Sequence, residues 1–169
     1  MNKVNYPIDK RQWSPSLMPG PIAIISTCNK ETGYNIAPKS WLQMVSFEPP
    51  ILMFSGSKDN TTEKNILENG CFVVNIVDSS LVEKVYKCIS FHGKERIEKS
   101  GFNLVDASKI CAPLVADCKA HLECKFIEAK EIGSGFVIFG EIVAASIWDE
   151  ILKKDPCERY AFLDQAVYL

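Results

Sequence analysis

The chain is 169 residues long, with 19 basic against 21 acidic side chains and a formal net charge of -2. That length suits one domain over residues 1–169 with a core of its own, and charges this dispersed and balanced leave no electrostatic footprint for nucleic acid. Met1-Asn2-Lys3-Val4-Asn5-Tyr6-Pro7 lacks the apolar stretch of an export signal and no run reaches the length of a membrane span, so the reading is a cytoplasmic protein with no membrane partner.

The first twenty residues are polar and proline-rich and lead into an apolar strand over residues 22–27. Asn29-Lys30-Glu31-Thr32-Gly33 predicts a turn that returns the chain as a hairpin. Its second arm carries residues 35–41, Asn35-Ile36-Ala37-Pro38-Lys39-Ser40-Trp41, where Pro38 removes one amide from the sheet and leaves neighbouring backbone groups for a ligand. Short strands at 45–47 and 51–55 flank a Pro49-Pro50 corner.

A helix is predicted over residues 61–69. Asn60 stands at its cap, Glu63 is placed to reach back to the cap amide, and Gly70 stops it. The start of such a helix presents unpaired amides and a partial positive charge, to which Thr61, Thr62 and Lys58 add donors and charge. It fits a phosphate, but every helix has a cap and anion sites are a minority use of helix starts, so taken alone the cluster reads first as an ordinary cap. A strand follows at 71–77, then a helix at 80–89 opened by a Ser80/Glu83 capping box, a loop at 91–95 and a short helical piece at 96–100 ended by Gly101.

Residues 118–129 and 136–147 predict a long hairpin joined at Gly133-Ser134-Gly135. The glycines there do not match a dinucleotide fingerprint, since no helix pattern follows. A short helix is expected at 148–154. Short strands, few helices and no regular strand-helix alternation favour an antiparallel barrel.

Seven cysteines in a chain without an export signal read as reduced, buried thiols rather than a disulfide framework. Cys118, His121 and Cys124 lie close in sequence, but strand alternation sends the imidazole and the thiols to opposite faces, so no metal site is expected there.

Residues 35–41, the Glu48-Pro49-Pro50 turn with its apolar strand, residues 57–65 and Phe72-Val73-Val74-Asn75-Ile76 together resemble the flavin reductase-like family of FMN-binding split barrels, in its flavoredoxin branch. Ala112-Pro113-Leu114-Val115, Leu122-Glu123-Cys124 and Gly140-Glu141-Ile142-Val143 extend the resemblance over nearly the whole chain. It implies a mainly β fold with peripheral helices, a Greek-key antiparallel split β-barrel.

The resemblance also implies an FMN cofactor, with NAD(P)H as a transient electron donor and a homodimer as the assembly. Asn35, Ile36, Ala37, Pro38, Lys39, Ser40 and Trp41 are then expected along the ring and ribityl chain, with Ser55 and Gly56 on the facing strand, and Ser57, Thr61, Thr62 and Asn65 at the phosphate. Arg96, ahead of Ser100-Gly101, matches a basic phosphate ligand, and Tyr168 matches by position a tail residue that reaches the flavin. Trp41 reads equally as core, and Arg96 equally as a solvated surface charge. Lys39 is the cation expected to stabilise reduced flavin.

Two departures stand out. Many members carry an acid-histidine pair where this chain has Ser134-Gly135, which leaves His92 as the histidine to consider on the loop before Arg96 and no catalytic residue assigned. The family's glycine-rich tail is also missing around Tyr168. The activity implied is an NAD(P)H-dependent flavin oxidoreductase. The alternative is a flavoredoxin-type carrier that takes electrons from a redox protein partner without nicotinamide.

Overall fold

The structure is a computed structural model that describes residues 1–8 and 17–168, with the backbone alone at Tyr168. Seven strands form one antiparallel sheet in the order β3-β2-β6-β9-β10-β5-β4. These are β2 (Ala23–Asn29), β3 (Gly33–Lys39), β4 (Leu42–Phe47), β5 (Pro50–Ser57), β6 (Cys71–Ile76), β9 (Ala120–Ile132) and β10 (Gly135–Ile147). Two-residue strands make the small pairs β1 (Gly20–Pro21) with β11 (Val167–Tyr168) and β7 (Leu104–Val105) with β8 (Leu114–Val115).

The near-continuous apolar run of β2 has a simple cause: both of its faces are covered. Ala23 and Ile25 join Leu52, Phe54, Ile66, Phe72, Val74, Cys124 and Ile138 in the barrel interior, while Ile24 packs with Ile36, Val77, Leu81, Val85 and Cys88 under the helices outside. Phe54 and Phe72 meet edge to face, with ring centroids 5.3 Å apart, the geometry aromatic quadrupoles favour. Cutting either ring to alanine removes about 3–5 kcal/mol.

The long strands β9 and β10 shift register between Phe139 and Gly140 and again between Ile142 and Ala144, and irregularities of this kind bend a strand and raise its twist. Gly140 sits where a Cβ would collide with the Phe72 ring. The curl ends with the β4–β5 hairpin beside β10, turned through a cis Glu48-Pro49 bond.

Five helices whose bounds fall within the described residues lie outside the sheet: α1 (Thr61–Asn69), α2 (Val82–Ser90), α3 (Gly93–Ser100), α4 (Asp149–Leu152) and α5 (Arg159–Leu163). α1 has the bounds its punctuation predicts, with Gly70 left-handed at φ +70. Three local expectations fail. Asn60 makes no side-chain cap bond and Glu63 turns inward, because a buried cation is on offer there. The turn Ser79–Leu81 before α2 is capped by Asp78, which accepts from the Ser80 amide at 2.9 Å, while Glu83 pairs with Lys87 in solvent. α3 starts at Gly93 rather than at Arg96, so the expected loop is the first turn of a helix.

The cysteines divide. Cys88 and Cys118 are deeply buried thiols whose pKa is pushed up to about 12, chiefly by burial, and burial pushes Cys124 up as well. Cys28 and Cys111 instead form a disulfide across 83 residues, contrary to the expectation of free thiols throughout. Their sequence separation hides the pairing. Both ring nitrogens of His121 are taken up at home, Nε2 at 2.9 Å from the Val115 carbonyl and Nδ1 at 3.1 Å from Ser146 Oγ. Among the described residues no helix is long and apolar enough to cross a membrane.

Candidate functional site

β3 is an outer strand of the sheet, and α1, α2 and α3 gather along it. Between them opens a cavity of about 340 Å³ lined by Ala37, Pro38 and Lys39 of β3, by Asp59, Asn60, Thr61 and Thr62 at the start of α1, and by Ile89, His92 and Arg96. Two segments and one distant arginine singled out from sequence thus meet at one cleft.

The helix end is open. The first intrahelical bond runs from the Lys64 amide to the Asn60 carbonyl at 3.2 Å, and the cap side chain makes none. Among the described residues nothing bonds the preceding amides of α1, which leaves them to meet an anion with the positive end of the helix dipole behind them. Arg96 supplies the counter-charge. Its Nε donates to the Phe91 carbonyl at 2.8 Å and Nη1 to the Ile36 carbonyl at 2.9 Å, while Nη2 lies 3.3 Å from His92 Nδ1. A guanidinium has five N–H donors, so the fork is fixed in place with two still to give.

Beneath the cleft the polar groups are sealed. Asn35 Nδ2 donates to Thr62 Oγ1 at 3.0 Å, and Asn65 Nδ2 donates to Thr27 Oγ1 at 3.0 Å. Glu63, fully buried, pairs with Lys39. Among the described residues two buried oxygens have no donor, Asn35 Oδ1 and Glu63 Oε2. Such orphans are rare because each costs about 1–3 kcal/mol. Gly56 is required here, since a Cβ would collide with the Glu63 carboxylate.

A second, more apolar cavity of about 640 Å³ begins one residue further along the chain, lined by Ser40, Trp41, Phe54, Ser55, Met53, Val137 and the proline-rich segment at Met18 to Pro21. The Lys39 ammonium lies 5.9 Å from the Phe54 ring centroid, so the ion pair adjoins both cavities. Trp41 is 62 % exposed, which excludes the core reading for it.

Not every expected residue reaches a cavity. The Ile36 side chain is core and offers only its carbonyl, already taken by Arg96. Asn65 faces Thr27 below α1, and Ser57 is exposed with its carbonyl bound by the Asn60 amide at 3.3 Å. Lys58 points to Glu131 instead of the helix start. Tyr168 is placed by its backbone alone, opposite Gly20. Sequence reasoning missed Asp59 and Ile89 in the lining, and it misassigned Glu63. The signal for Glu63 was a Lys–Glu pair spread over two segments, which no local pattern carries.

This cleft lies beside a curled antiparallel sheet of the split β-barrel kind. The chain belongs to the flavin reductase-like family: the model of the flavin reductase like domain matches residues 15–164. An uncharacterized protein of Aquifex aeolicus (strain VF5) is 35 % identical over 150 residues, 82 % of this chain and 74 % of that one. The 2-nitrobenzoate 2-nitroreductase NbaA of Pseudomonas fluorescens superposes with a TM-score of 0.79 at 29 % identity, over 89 % of this chain and 78 % of that one. The flavoredoxin of Methanosarcina acetivorans gives a TM-score of 0.79 at 24 % identity, over 99 % and 86 %, and shares the fold.

Proposed function

We propose that this chain binds FMN and works as an NAD(P)H-dependent flavin oxidoreductase, and that it does so as a homodimer. The observation that carries the reading is the open helix start facing Arg96 across the cleft. A dianionic phosphate is what unpaired amides, the Thr61 hydroxyl and a guanidinium with donors to spare have in common.

When bound, a flavin supplies both hydride and single-electron chemistry. The residues of this chain do the rest. Arg96, Thr61 and the α1 amides would hold the phosphate, and Ser40, Trp41 and Ser55 border the more apolar cavity suited to a flat ring. Lys39, partly neutralised by Glu63, sets the charge near that ring. No dinucleotide fold is needed, because a nicotinamide can stack on an exposed ring face.

One observation favours a second reading, that of an electron carrier served by a redox protein. Ser134 in the β9–β10 turn and Gly135 at the start of β10 stand where the family resemblance implies an acid-histidine pair, and His92 is the histidine that lines the cleft. The two readings separate in one experiment: add FMN to the purified protein, then NADH or NADPH without oxygen, and follow the yellow absorbance. Bleaching with either donor is the expected result. Flavin that binds and stays yellow selects the carrier, and failure to bind FMN at all overturns both.

A further inference from the structure

Three sulfurs converge where β2 and β6 meet the segment between β7 and β8, and none of the three residues lines either cavity. Cys28, Cys71 and Cys111 have their Sγ atoms all within 4.8 Å of one another. Cys28 and Cys111 are joined as a disulfide, and Cys71 Sγ lies 3.3 Å from Cys111 Sγ. We propose that the reduced form of this trio is a binding site for a thiophilic d10 cation, Zn²⁺ being the representative, and that the Cys28–Cys111 disulfide is its closed, metal-excluding form. The inference does not depend on the flavin reading.

The scaffold that assembles the sulfurs does not need the disulfide. β2 and β6 pair with Ala23 opposite Ile76 and Ser26 opposite Val73, and continuing that register by two residues sets Cys28 across from Cys71. Such neighbours on one face have Cβ atoms about 4.5–5.5 Å apart. Cys111 comes from the segment between β7 and β8, which is fastened from both ends by other bonds. Glu123 accepts from the Ser108 amide at 3.0 Å, from the Ser108 hydroxyl at 2.7 Å and from the Lys109 amide at 2.7 Å. On the other side the Ser26 hydroxyl donates to the Pro113 carbonyl, and Ala112 is packed with Cys28, Cys71 and Val73. Opening the disulfide therefore leaves all three thiols in place.

The geometry suits a tetrahedral thiolate site. Zn–S bonds of about 2.3 Å put sulfurs roughly 3.8 Å apart around the ion, a spacing that falls inside the 4.8 Å within which these three already lie. Among the described residues no other histidine, cysteine or carboxylate joins the group. Cys111 is exposed, so water or an external ligand completes the fourth position, as in zinc sites with three protein ligands. Three soft ligands and no oxygen donor select against magnesium and calcium.

The chemistry balances in two steps. A dithiol reductant gives two electrons and two protons to the Cys28–Cys111 bond, yielding two thiols and its own disulfide. The cation then binds three thiolates and displaces three protons, one each from Cys28, Cys71 and Cys111. Removal of the metal returns three protons to the sulfurs, and exchange with a disulfide oxidant then re-forms the Cys28–Cys111 bond while the oxidant takes up the two electrons and two protons and leaves as two thiols.

The test uses the whole protein, reduced without oxygen and freed of reductant, against the same protein left oxidised. Zn²⁺ is titrated with a coloured chelator in competition, and Cd²⁺ is added separately to read the thiolate-to-metal absorption in the ultraviolet. The reduced protein is expected to hold about one equivalent of either ion and the oxidised protein none. Cys111→Ser, at an exposed loop position, should weaken binding at least tenfold, while Cys157→Ser should leave it unchanged. Reduced protein that takes up no stoichiometric metal, or a Cys111→Ser variant that binds as well as the parent, overturns the proposal. If Cys71→Ser misfolds, the cadmium band of the parent still decides, because its intensity counts the thiolates bound.

Discussion

Lys39 and Glu63 illustrate how a single side chain acquires its role from a partner that is distant in sequence. Both are withdrawn from solvent, and Glu63 keeps one oxygen without a donor. Removing one member of such a pair strands the other charge, at a cost of about 3–5 kcal/mol, whereas removing both is far milder. Lys39→Ala should thus unfold at markedly lower denaturant than Lys39→Met/Glu63→Leu, and equal losses in the two would show that the pair is not buried as described. The same logic reaches the flavin. Lys39→Ala should lower the midpoint potential of bound FMN and Glu63→Gln should raise it, read by dye-equilibrated reductive titration; potentials that do not move remove the pair from that role. Arg96 offers a sharper check on the phosphate. Arg96→Ala forfeits charge-assisted bonds of about 1.5–3 kcal/mol, so FMN affinity should fall roughly 10- to 100-fold while riboflavin affinity hardly changes. A parallel fall for both ligands would mean that Arg96 acts only through the Phe91 and Ile36 carbonyls it also holds.

At the scale of elements, the segment between β7 and β8 hangs on Glu123. Burial opposes ionisation of that carboxyl, but the bonds from Ser108 and Lys109 outweigh it and hold the pKa below the ordinary carboxylate range. A group whose pKa is depressed by folding stabilises the fold above its unfolded value, near 4.3, and that contribution is lost as the pH falls through the folded value. Protease nicking within residues 106–113 should therefore rise on acidification below about pH 4. Glu123→Gln should show the raised nicking already at neutral pH, with a stability loss of about 1.5–3 kcal/mol. No change in nicking would show that the segment is held by its apolar contacts alone. Why some elements were legible in the sequence follows from the range of the forces that set them. α1 was readable to its last residue because Gly70 and the apolar residues of the helix lie within its own stretch. The start of α3 was not, since His92-Gly93 has the composition of a turn and the helix is earned by Arg96 reaching back to Phe91 and across to Ile36. The cleft was half legible. Residues 37–39, 61, 62, 92 and 96 do meet, while Asn65 and Ile36 were drawn in by a motif whose other side is a buried network. The Cys28–Cys111 bond, with 83 residues between its ends, left no local trace.

For the molecule as a whole, β4 poses the outstanding question. Among the described residues it is the last strand of the sheet, with no strand on its outer edge, and it adds Met44, Val45 and a 91 % exposed Phe47 to the neighbouring Trp41. Proteins commonly blunt such edges with charge or cover them, and contiguous exposed apolar surface marks an interface more often than not. A two-fold pairing of identical chains covers it with the least invention, because one self-complementary patch serves both partners. Trp41 belongs both to this patch and to the lining of the more apolar cavity, so an assembly that shields β4 would also cover the Trp41 side of that cavity. Val45→Lys/Phe47→Lys should then yield a single-chain mass in light scattering where the parent gives two, and should lose FMN faster on dilution although no substituted residue lines either cavity. A parent that scatters as one chain rules out the dimer. A double variant that is monomeric yet keeps FMN as tightly as the parent leaves the dimer standing but cuts its link to the site, and the cleft formed by β3, α1 and Arg96 is then sufficient within one chain.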